Sequence, residues 1–420
     1  MHRNDSQFDL SHSRSIGLKS VVSCVTACFS HVARALFLAG SEDSQGRGWL
    51  SKSQEKLVFG KSLPAVGAVL SILFIGLGCE RPKPLADGEV SGAAKGASDT
   101  IAGVIGGESA PSASAGGKKT KVALLLNWYP EAEHGGFYAA KVHGIYEKYG
   151  LDVDIQPGGK TTVVAQSLAL GRVQFGVANA DDVLVARNQD VPMVALMAPI
   201  QIGPRCIMVR KDSGITSFEQ LKNLTLQIDS GRPYVAFMKS KGLLDESVKI
   251  APYFGTVAQL VAGPGYAAQG YTFSEPFMAQ QQGVEVTQLM MSDLGYNPYA
   301  SLLVSMEPYT KENAEVCRKM VQASIEGWQR YLLDPKETNA VILAANKQGL
   351  TREALDYGVE ALKPLCYVNQ VTQDIGAMSP ERWTQLADTL VELKLIDRSK
   401  LKLEASYTLG FLPKSEPESN

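Results

Sequence analysis

The chain has 420 residues, 45% of them hydrophobic, and a formal net charge of −2 at pH 7. That length fits two or three domains with ample hydrophobic cores. The near-zero charge argues against the clustered lysine and arginine surface that nucleic acid requires, so no nucleic-acid partner is expected. The six cysteines show neither CxxC nor metal-ligand spacing, so the sequence predicts no metal site.

The first 79 residues are predicted to be an N-terminal extension followed by a signal peptide. An apolar stretch at residues 62–78 follows three lysines and ends at Cys79. It is shorter than the roughly 20 residues that span a bilayer, which is typical of a signal peptide. The ending at residues 75–79 resembles a bacterial lipobox, although Gly76 stands where Leu is usual, so Cys79 is the predicted lipidation site. The alternative is a plain membrane anchor, and either one would tether an extracytoplasmic or periplasmic protein to a membrane.

Two further features surround the signal peptide. Residues 1–50 precede it, which indicates either a translation start near Leu57 or Val58 or a disordered extension. Residues 80–119 are rich in Gly, Ala, Ser and Pro, so they bury too little apolar surface to offset their ordering entropy. We therefore expect a flexible linker between the membrane and a globular body.

The globular body begins with a strand, a helix and a second strand. The apolar run 122–126 predicts a buried strand, and alternating Leu151, Val153 and Ile155 predict another. An amphipathic helix between them ends near Gly150, so the sheet is expected to be parallel with helices on its faces. The loop after the first strand lies at a carboxyl end, where ligands bind in open α/β sheets.

The rest of the body reads as two α/β lobes. The first is predicted to be discontinuous, comprising residues 120–210 and 298–410, and the second to comprise residues 211–297, with a tail at 411–420. Beyond the first unit, strands are predicted in both lobes, at residues 173–178, 191–197, 207–210, 224–228, 271–273, 284–289 and 300–305. Helices then dominate, with Thr310, Thr351 and Ser379 as predicted starts and with Trp328 and Trp383 as core residues.

The segment from Asn127 to Val153 contains the pattern N-W-x-P-x-x-x-H-x-G-F-Y-x-A, followed by G-L-D-V. This pattern resembles the NMT1/THI5-like family, and the likeness continues through residues 157–159, 168–187, 212–223 and 269–277. The family consists mostly of bacterial solute-binding proteins of ABC importers. The resemblance implies a type II periplasmic-binding-protein fold, with a ligand cleft between two lobes and two hinge crossovers.

The resemblance also implies a function. The protein would be an extracytoplasmic solute-binding protein that captures a small heteroaromatic solute, such as a thiamine pyrimidine precursor, by closing its cleft. Its partners would be the small-molecule ligand and an ABC permease in the membrane, and it would act as a monomer without a cofactor. Riboflavin-like molecules and alkylsulfonates remain open as ligands, because close folds serve all of them.

Candidate ligand-binding residues of the first lobe follow its predicted strands. Trp128 either stacks on a ligand or covers the lobe edge. His134 either contacts the ligand or bonds a local carbonyl group, and the adjacent Gly135 and Gly136 would permit close approach to a ligand. Asn179 and Asp181 follow another strand, where Asp181 either accepts a hydrogen bond from an aminopyrimidine or caps the next helix.

The second lobe and the hinge supply the remaining candidates. Ser230 and Arg232 precede a predicted helix, whose N-terminus would favour an anionic group, although Arg232 is also suited to bridge the lobes. Glu275 matches a position where some pyrimidine-binding relatives place an acid, and the alternative is a surface glutamate before a proline. Tyr266 and Tyr296 are the weakest candidates, since the chain has 15 tyrosines.

Two alternatives to a transport function are left open. One branch of the family makes the thiamine pyrimidine, using pyridoxal phosphate on a lysine and sacrificing a histidine. On this sequence the lysine position falls at Ala178 and the histidine position at about Asp182, and residues 296–300 lack the branch's cysteines. Ala178 has no side-chain amine with which to form a Schiff base, so no catalytic residues are assigned. The second alternative is the binding module of a sensor.

Overall fold

The computed structural model describes residues 118–367 and 375–413. The predicted extension, the signal peptide with Cys79 and nearly all of the predicted linker lie outside these described residues. Within the described ranges, none of the helices combines the length and the apolar character needed to cross a bilayer.

The first lobe is built on a five-stranded sheet in the order β2-β1-β3-β10-β4. Its strands have the following bounds: β1 Thr120–Leu125, β2 Leu151–Gln156, β3 Phe175–Ala178, β4 Met193–Met197 and β10 Leu302–Met306. β1 pairs in parallel with β2 and β3, as expected for the predicted strand-helix-strand unit. β10 returns antiparallel between β3 and β4, so the lobe is completed by chain that follows the second lobe.

The second lobe is built on another five-stranded sheet, in the order β7-β6-β8-β5-β9. Its strands have the following bounds: β5 Arg205–Arg210, β6 Leu224–Gln227, β7 Val248–Ala251, β8 Tyr266–Tyr271 and β9 Val286–Met290. β6 is parallel to both β7 and β8, whereas β5 runs antiparallel to β8 and β9. Both lobes thus share one architecture, with a single antiparallel strand inserted into an otherwise parallel arrangement.

Helices cover the sheets. Their bounds, in chain order, are α1 Gly135–Val142, α2 Ile145–Lys148, α3 Val164–Ala169, α4 Ala180–Asn188, α5 Pro233–Ser240, α6 Ala258–Ala262, α7 Glu275–Gln281, α8 Glu307–Glu312, α9 Ala314–Leu333, α10 Lys336–Ala345, α11 Arg352–Cys366 and α12 Pro380–Glu392. Short 3-10 turns lie at Ala132–His134, Lys211–Ser213, Phe218–Gln220 and Leu403–Ala405. Thr351 and Ser379 cap α11 and α12 through their side chains, as predicted.

The predicted division of the chain needs one correction. Residues 205–210 were expected to end the first lobe, but β5 pairs with β8 and β9 in the second sheet. The first crossover therefore lies at residues 198–204, and the second lobe begins with β5. The error has a physical cause: β5 is buried on both faces, and such an apolar run does not indicate which sheet it joins.

Two element boundaries also differ from the prediction. The strand expected at residues 271–273 is β8, which ends at Tyr271, so the predicted segment begins only where the strand stops. Thr310 does not start a long helix but lies inside α8, and α9 begins after a break at Asn313. The predicted return of the chain near residue 300 is confirmed by β10, and Ile200 bridges Ala300 where the two crossovers meet.

The core of the first lobe depends on a close crossing of α1 and α9. Trp328 and Trp383 are fully buried, which confirms their predicted core positions. Gly135 and Gly136 face the rings of Tyr331 and Trp328, where an added Cβ would lie 1.9 and 2.0 Å from ring carbons. The expectation that these glycines admit a ligand is therefore wrong, because the space beside them is filled by α9.

Candidate functional site

A cavity of about 470 Å³ lies between the two lobes and is lined by both. Its walls come from the carboxyl ends of parallel strands: Asn127 and Trp128 follow β1, Asn179 follows β3, Asp229 follows β6, and Tyr271 ends β8. Strand ends are the ordinary ligand position in open α/β sheets, because the loops there are free to carry polar side chains. The cavity is therefore the candidate binding site.

Trp128 forms part of the aromatic wall of this cavity. Its ring packs edge-on against Tyr129, with ring centroids 5.2 Å apart. Gly158 donates its backbone N–H to the Trp128 carbonyl at 3.0 Å, and a Cβ at Gly158 would lie 2.2 Å from the Leu126 carbonyl oxygen. The glycine pair at residues 158–159 thus holds the Trp128 loop against the following loop.

His134 does not line the cavity but supports the loop that does. Its Nδ1 accepts the backbone N–H of Glu131 at 3.3 Å, so Nε2 carries the proton, which it donates to Asn127 Oδ1 at 2.9 Å. Burial lowers the pKa of His134 to about 3, so the ring is neutral at physiological pH. The structure thus places His134 in local bonding rather than at the ligand surface, with the side-chain carbonyl oxygen of Asn127 and the backbone N–H of Glu131 as its partners.

Asn179 and Asp181 follow the same strand, but only Asn179 lines the main cavity. Asn179 lines the main cavity and donates from Nδ2 to the hydroxyl of Tyr271 at 3.4 Å, across the cleft. Asp181 is buried beside it, where it accepts the Tyr296 hydroxyl at 2.9 Å, and both line a neighbouring space of about 20 Å³. Asp181 and Tyr296 therefore bond each other, and Asp182, which the sequence analysis did not select for binding, lines the main cavity instead.

The candidates of the second lobe are likewise divided. Arg232 lines the cavity, and its Nη1 lies 3.0 Å from Asp182 Oδ1 of the first lobe, so it bridges the lobes. Ser230 is exposed and does not line the cavity. Tyr266 is the first residue of β8, about 17 Å along the strand from Tyr271 at the cavity end.

Glu275 is the first residue of α7, and its side chain lines the cavity. Its Oε2 accepts the backbone N–H of Tyr271 at 2.8 Å, and its Oε1 accepts the hydroxyl of Tyr253 at 2.7 Å. These two bonds fix the carboxyl group relative to β8, so Glu275 is held in the cavity wall and is not a free surface glutamate.

Two further carboxyl groups, missed by the sequence analysis, line the same cavity. Glu131 accepts the hydroxyl of Ser274 from the second lobe at 3.2 Å, and Glu133 accepts the hydroxyl of Ser301 at 2.9 Å. Burial raises the pKa of both groups, to about 7 for Glu133, and repulsion from Glu275 adds to the effect. Both lie in the pattern N-W-x-P-x-x-x-H, between Trp128 and His134. Their position in this pattern is the sequence signal that could have identified them as cavity residues.

Arg205, the first residue of β5, is the cation that faces these acids. Its guanidinium lies between the rings of Tyr234 and Tyr271, 4.5 and 4.4 Å from their centroids, and its Nη2 donates to the Tyr271 hydroxyl at 2.7 Å. Arg205 was not among the predicted site residues, because this strand was assigned to the first lobe. In the part of the chain that the structure describes, no group of His, Cys, Asp and Glu is arranged to hold a metal ion.

The fold is that of periplasmic binding proteins. The chain superposes on the periplasmic aliphatic sulphonate binding protein SsuA from Escherichia coli with a TM-score of 0.54 and 16% identity, covering 68% of this chain and 91% of that one. The model of the NMT1/THI5 like family matches residues 131–338. The chain therefore contains an NMT1/THI5-like domain, as the sequence pattern predicted.

Named relatives include binding proteins and enzymes. The chain is 28% identical over 229 residues to a formylaminopyrimidine-binding protein of Halalkalibacterium halodurans, covering 53% of this chain and 69% of that protein. It is 26% identical over 236 residues to the riboflavin-binding protein RibY of Chloroflexus aurantiacus, covering 54% and 67%. A 4-amino-5-hydroxymethyl-2-methylpyrimidine phosphate synthase of Legionella pneumophila matches over only 103 residues, at 28% identity and 33% of its length.

Proposed function

We propose that this protein is an extracytoplasmic solute-binding protein of an ABC import system, which captures a small heteroaromatic solute such as a thiamine pyrimidine precursor. The observation that carries this proposal is the cavity between the lobes, in which an aromatic side chain lies among fixed polar groups. Such a combination is typical of sites for flat, polar small molecules. The likeness to a formylaminopyrimidine-binding protein and to RibY supports the same class of ligand.

The ligand acts by stabilising the closed arrangement of the lobes. A solute that contacts Trp128 in one lobe and Glu275 in the other binds the closed form better than the open form, and it shifts the population by that difference. The closed form would then dock on a membrane permease, to which lipidation at Cys79 would keep the protein close. Transfer to the permease leaves the solute chemically unchanged.

A synthase of the pyrimidine-forming type is the alternative, and the cavity offers few groups for it. Ala178 lines the cavity at the place where the family resemblance puts the synthase lysine. The cavity does contain the amine of Lys160, but its Nζ donates to the carbonyl of Phe254 at 2.8 Å, across the cleft. Lys160 therefore supports contact between the lobes, and a binding role accounts for it without chemistry.

The test is a thermal-shift screen of the full chain against pyrimidine precursors, flavins and alkylsulfonates. A ligand at 100 times its dissociation constant should add about 2.7 kcal/mol of stability. We expect a pyrimidine to raise the melting temperature of the wild type, and the shift to disappear in Trp128→Ala and Glu275→Gln. Tyr266→Ala, at the far end of β8, should keep its ligand-induced shift.

Two results would contradict the proposal. A ligand-induced shift that survives both cavity substitutions would locate binding elsewhere. Incubation with pyridoxal phosphate that yields an imine absorbance band, lost in Lys160→Arg, would favour the synthase. Shifts with flavins or sulfonates alone would keep the solute-binding function and replace the ligand.

A further inference from the structure

The cavity between the lobes has two chemically different parts. In the cleft its walls are polar and aromatic, and Trp128, Arg205 and Glu275 lie there. Beyond the cleft the same cavity is lined by apolar side chains of the first lobe, and we call this part the apolar arm. Its residues are Val164, Ala165, Val177, Val185, Ala186 and Met193. Because the arm and the cleft form one cavity, an occupant of the arm is expected to be part of the same solute.

One face of α4 extends along the arm. Asp182, Val185, Ala186 and Gln189 all line the cavity, and their spacing of three, one and three residues is that of a single helix face. Asp182 lies in the first turn of α4, at the cleft, whereas Gln189 follows the last turn and is exposed. At 1.5 Å per residue, the helix advances roughly 10 Å between these two positions. The arm is therefore long enough for a chain or ring that extends well beyond the cleft.

The opposite walls of the arm come from α3 and from the first sheet. Val164 and Ala165 belong to the first turn of α3, Val177 lies near the end of β3, and Met193 is the first residue of β4. Both β3 and β4 are antiparallel to β10, so they run in the same direction. Since β3 ends at the cleft, the start of β4 at Met193 lies toward the opposite edge of the sheet. The strands thus give the arm the same direction as α4 does.

The composition of the arm determines which chemical groups it favours. The Val, Ala and Met side chains of its walls provide no strong hydrogen-bonding group, and Val177 and Met193 are buried. A polar group moved here from water would lose hydrogen bonds without replacement, whereas an apolar group gains free energy by leaving water. The arm therefore favours an apolar part of a solute.

Two alanines leave room in the arm. Ala165 comes from α3 and is half-buried, and Ala186 comes from α4 and is buried. Both line the cavity, so a larger side chain at either position would occupy space within the arm. These two positions are therefore suited to determine how large an apolar group the site accepts.

We propose, resting on the solute-binding function above, that the solute is a heteroaromatic head group with an apolar extension, the head bound in the cleft and the extension in the apolar arm. Trp128 and Glu275 would contact the head, while Ala165 and Ala186 would set the size of the extension. A simple pyrimidine still binds through its head, but each methylene group buried in the arm adds up to about fourfold in affinity.

The test uses two series of 4-aminopyrimidines, alkylated at C2 or at C5 with methyl, propyl or pentyl groups, in isothermal titration calorimetry on the full chain. In at least one series we expect the pentyl compound to bind at least tenfold more tightly than the methyl compound. Ala186→Leu should reduce this gain to threefold or less, while the affinity for the methyl compound stays within twofold of the wild type. The matched control is Ala169→Leu, at an exposed position of α3 outside the cavity, and it should retain the full gain.

The opposing outcomes separate this inference from the solute-binding function. Methyl compounds that bind while neither series gains affinity with chain length, or a gain that is undiminished in Ala186→Leu, would overturn the apolar extension and preserve the solute-binding function. If no member of either series binds at millimolar concentration, the pyrimidine head and its extension are both refuted. Should Ala186→Leu fail to fold by circular dichroism, Ala165→Leu from the α3 side of the arm serves in its place.

Discussion

At the residue scale, residues 127–134 include side chains that line the cavity and others that only support the loop. Trp128 and Glu131 line the cavity, whereas His134 lies behind them and fixes the loop through Glu131 and Asn127. The sequence could indicate which residue types cluster after β1. The sequence could not show whether His134 contacts the ligand or supports the loop, because that depends on which elements from distant parts of the chain bury it.

The same limit applies to Asp181 and Asp182. The sequence places both at the start of α4, and either is suited to face a ligand or to cap a helix. The choice is made by Tyr296, which returns 115 positions later in the chain and takes Asp181 as its hydrogen-bond acceptor. The sequence can thus predict which side chains lie near the end of a strand. Which of them faces the ligand depends on Tyr296, which lies near the second crossover.

Glu133 should make the stability of the protein depend on pH. Its pKa rises from 4.5 to about 7 on folding, because burial disfavours the ionised form. A raised carboxyl pKa means that the folded state binds more protons between these values, so its contribution to stability falls as pH rises from 4.5 to 7. Glu133→Gln should therefore gain about 3 kcal/mol in unfolding free energy at pH 8 and little at pH 4.

Urea unfolding of the wild type and Glu133→Gln at the two pH values measures this difference. Asp152→Asn serves as the control, because Asp152 is exposed on β2 and its removal should change stability equally at both. A Glu133→Gln gain that is independent of pH would show that the effect arises from packing and not from the buried charge.

At the element scale, the periodicity of the sequence was sufficient for the first strand-helix-strand unit but not for β5. β1 and β2 lie close to their predicted positions, since alternation is strong in that segment. The single helix predicted between them is divided into α1 and α2, because Gly144 adopts a left-handed conformation with φ of 67°. β5 is apolar on both faces, so its sequence does not distinguish the two sheets. Its misassignment concealed Arg205, because β5 runs antiparallel to β8 and so begins beside Tyr271, at the cavity end of the sheet.

The crossing of α1 and α9 depends on glycine. A Cβ at Gly136 would lie 2.0 Å from the Trp328 ring, and one at Gly327 would lie 2.3 Å from the Gly136 carbonyl oxygen. Gly136→Ala should therefore force the helices apart and lower the unfolding free energy by roughly 2 kcal/mol or more.

Chemical unfolding compares this variant with Gly265→Ala, where an added Cβ meets no atom within 4 Å. The control should stay within about 0.5 kcal/mol of the wild type. If Gly136→Ala were as stable as the control, the close approach of the two helices would not be needed for the fold.

At the scale of the whole molecule, the two lobes are joined across the cleft by polar and aromatic contacts. Besides the bonds within the cavity, Phe277 of α7 stacks on Tyr357 of α11 with centroids 5.1 Å apart, and the Tyr357 hydroxyl donates to the Thr272 carbonyl at 3.1 Å. The sequence predicted two lobes and two crossovers, and it noted that Arg232 is suited to bridge them. It could not identify the partners, because each pair joins residues that are far apart in the chain.

The Arg232–Asp182 ion pair is the contact best suited to test which interactions hold the two lobes together. It joins α4 of the first lobe to the start of α5 in the second, with both side chains about a third exposed. An ion pair at that exposure contributes up to about 1 kcal/mol, so Asp182→Asn should open the cleft without unfolding the protein. Hydrogen–deuterium exchange of the unliganded full chain should then rise two- to fivefold at residues 160–163 and 252–257, which face each other across the cleft.

Asp245→Asn removes a comparable carboxylate whose partner, Lys222, lies in the same lobe, so exchange at those segments should not change. Equal exchange in the two variants would mean that the remaining contacts hold the lobes together, and that the ion pair serves only to position Arg232 in the cavity.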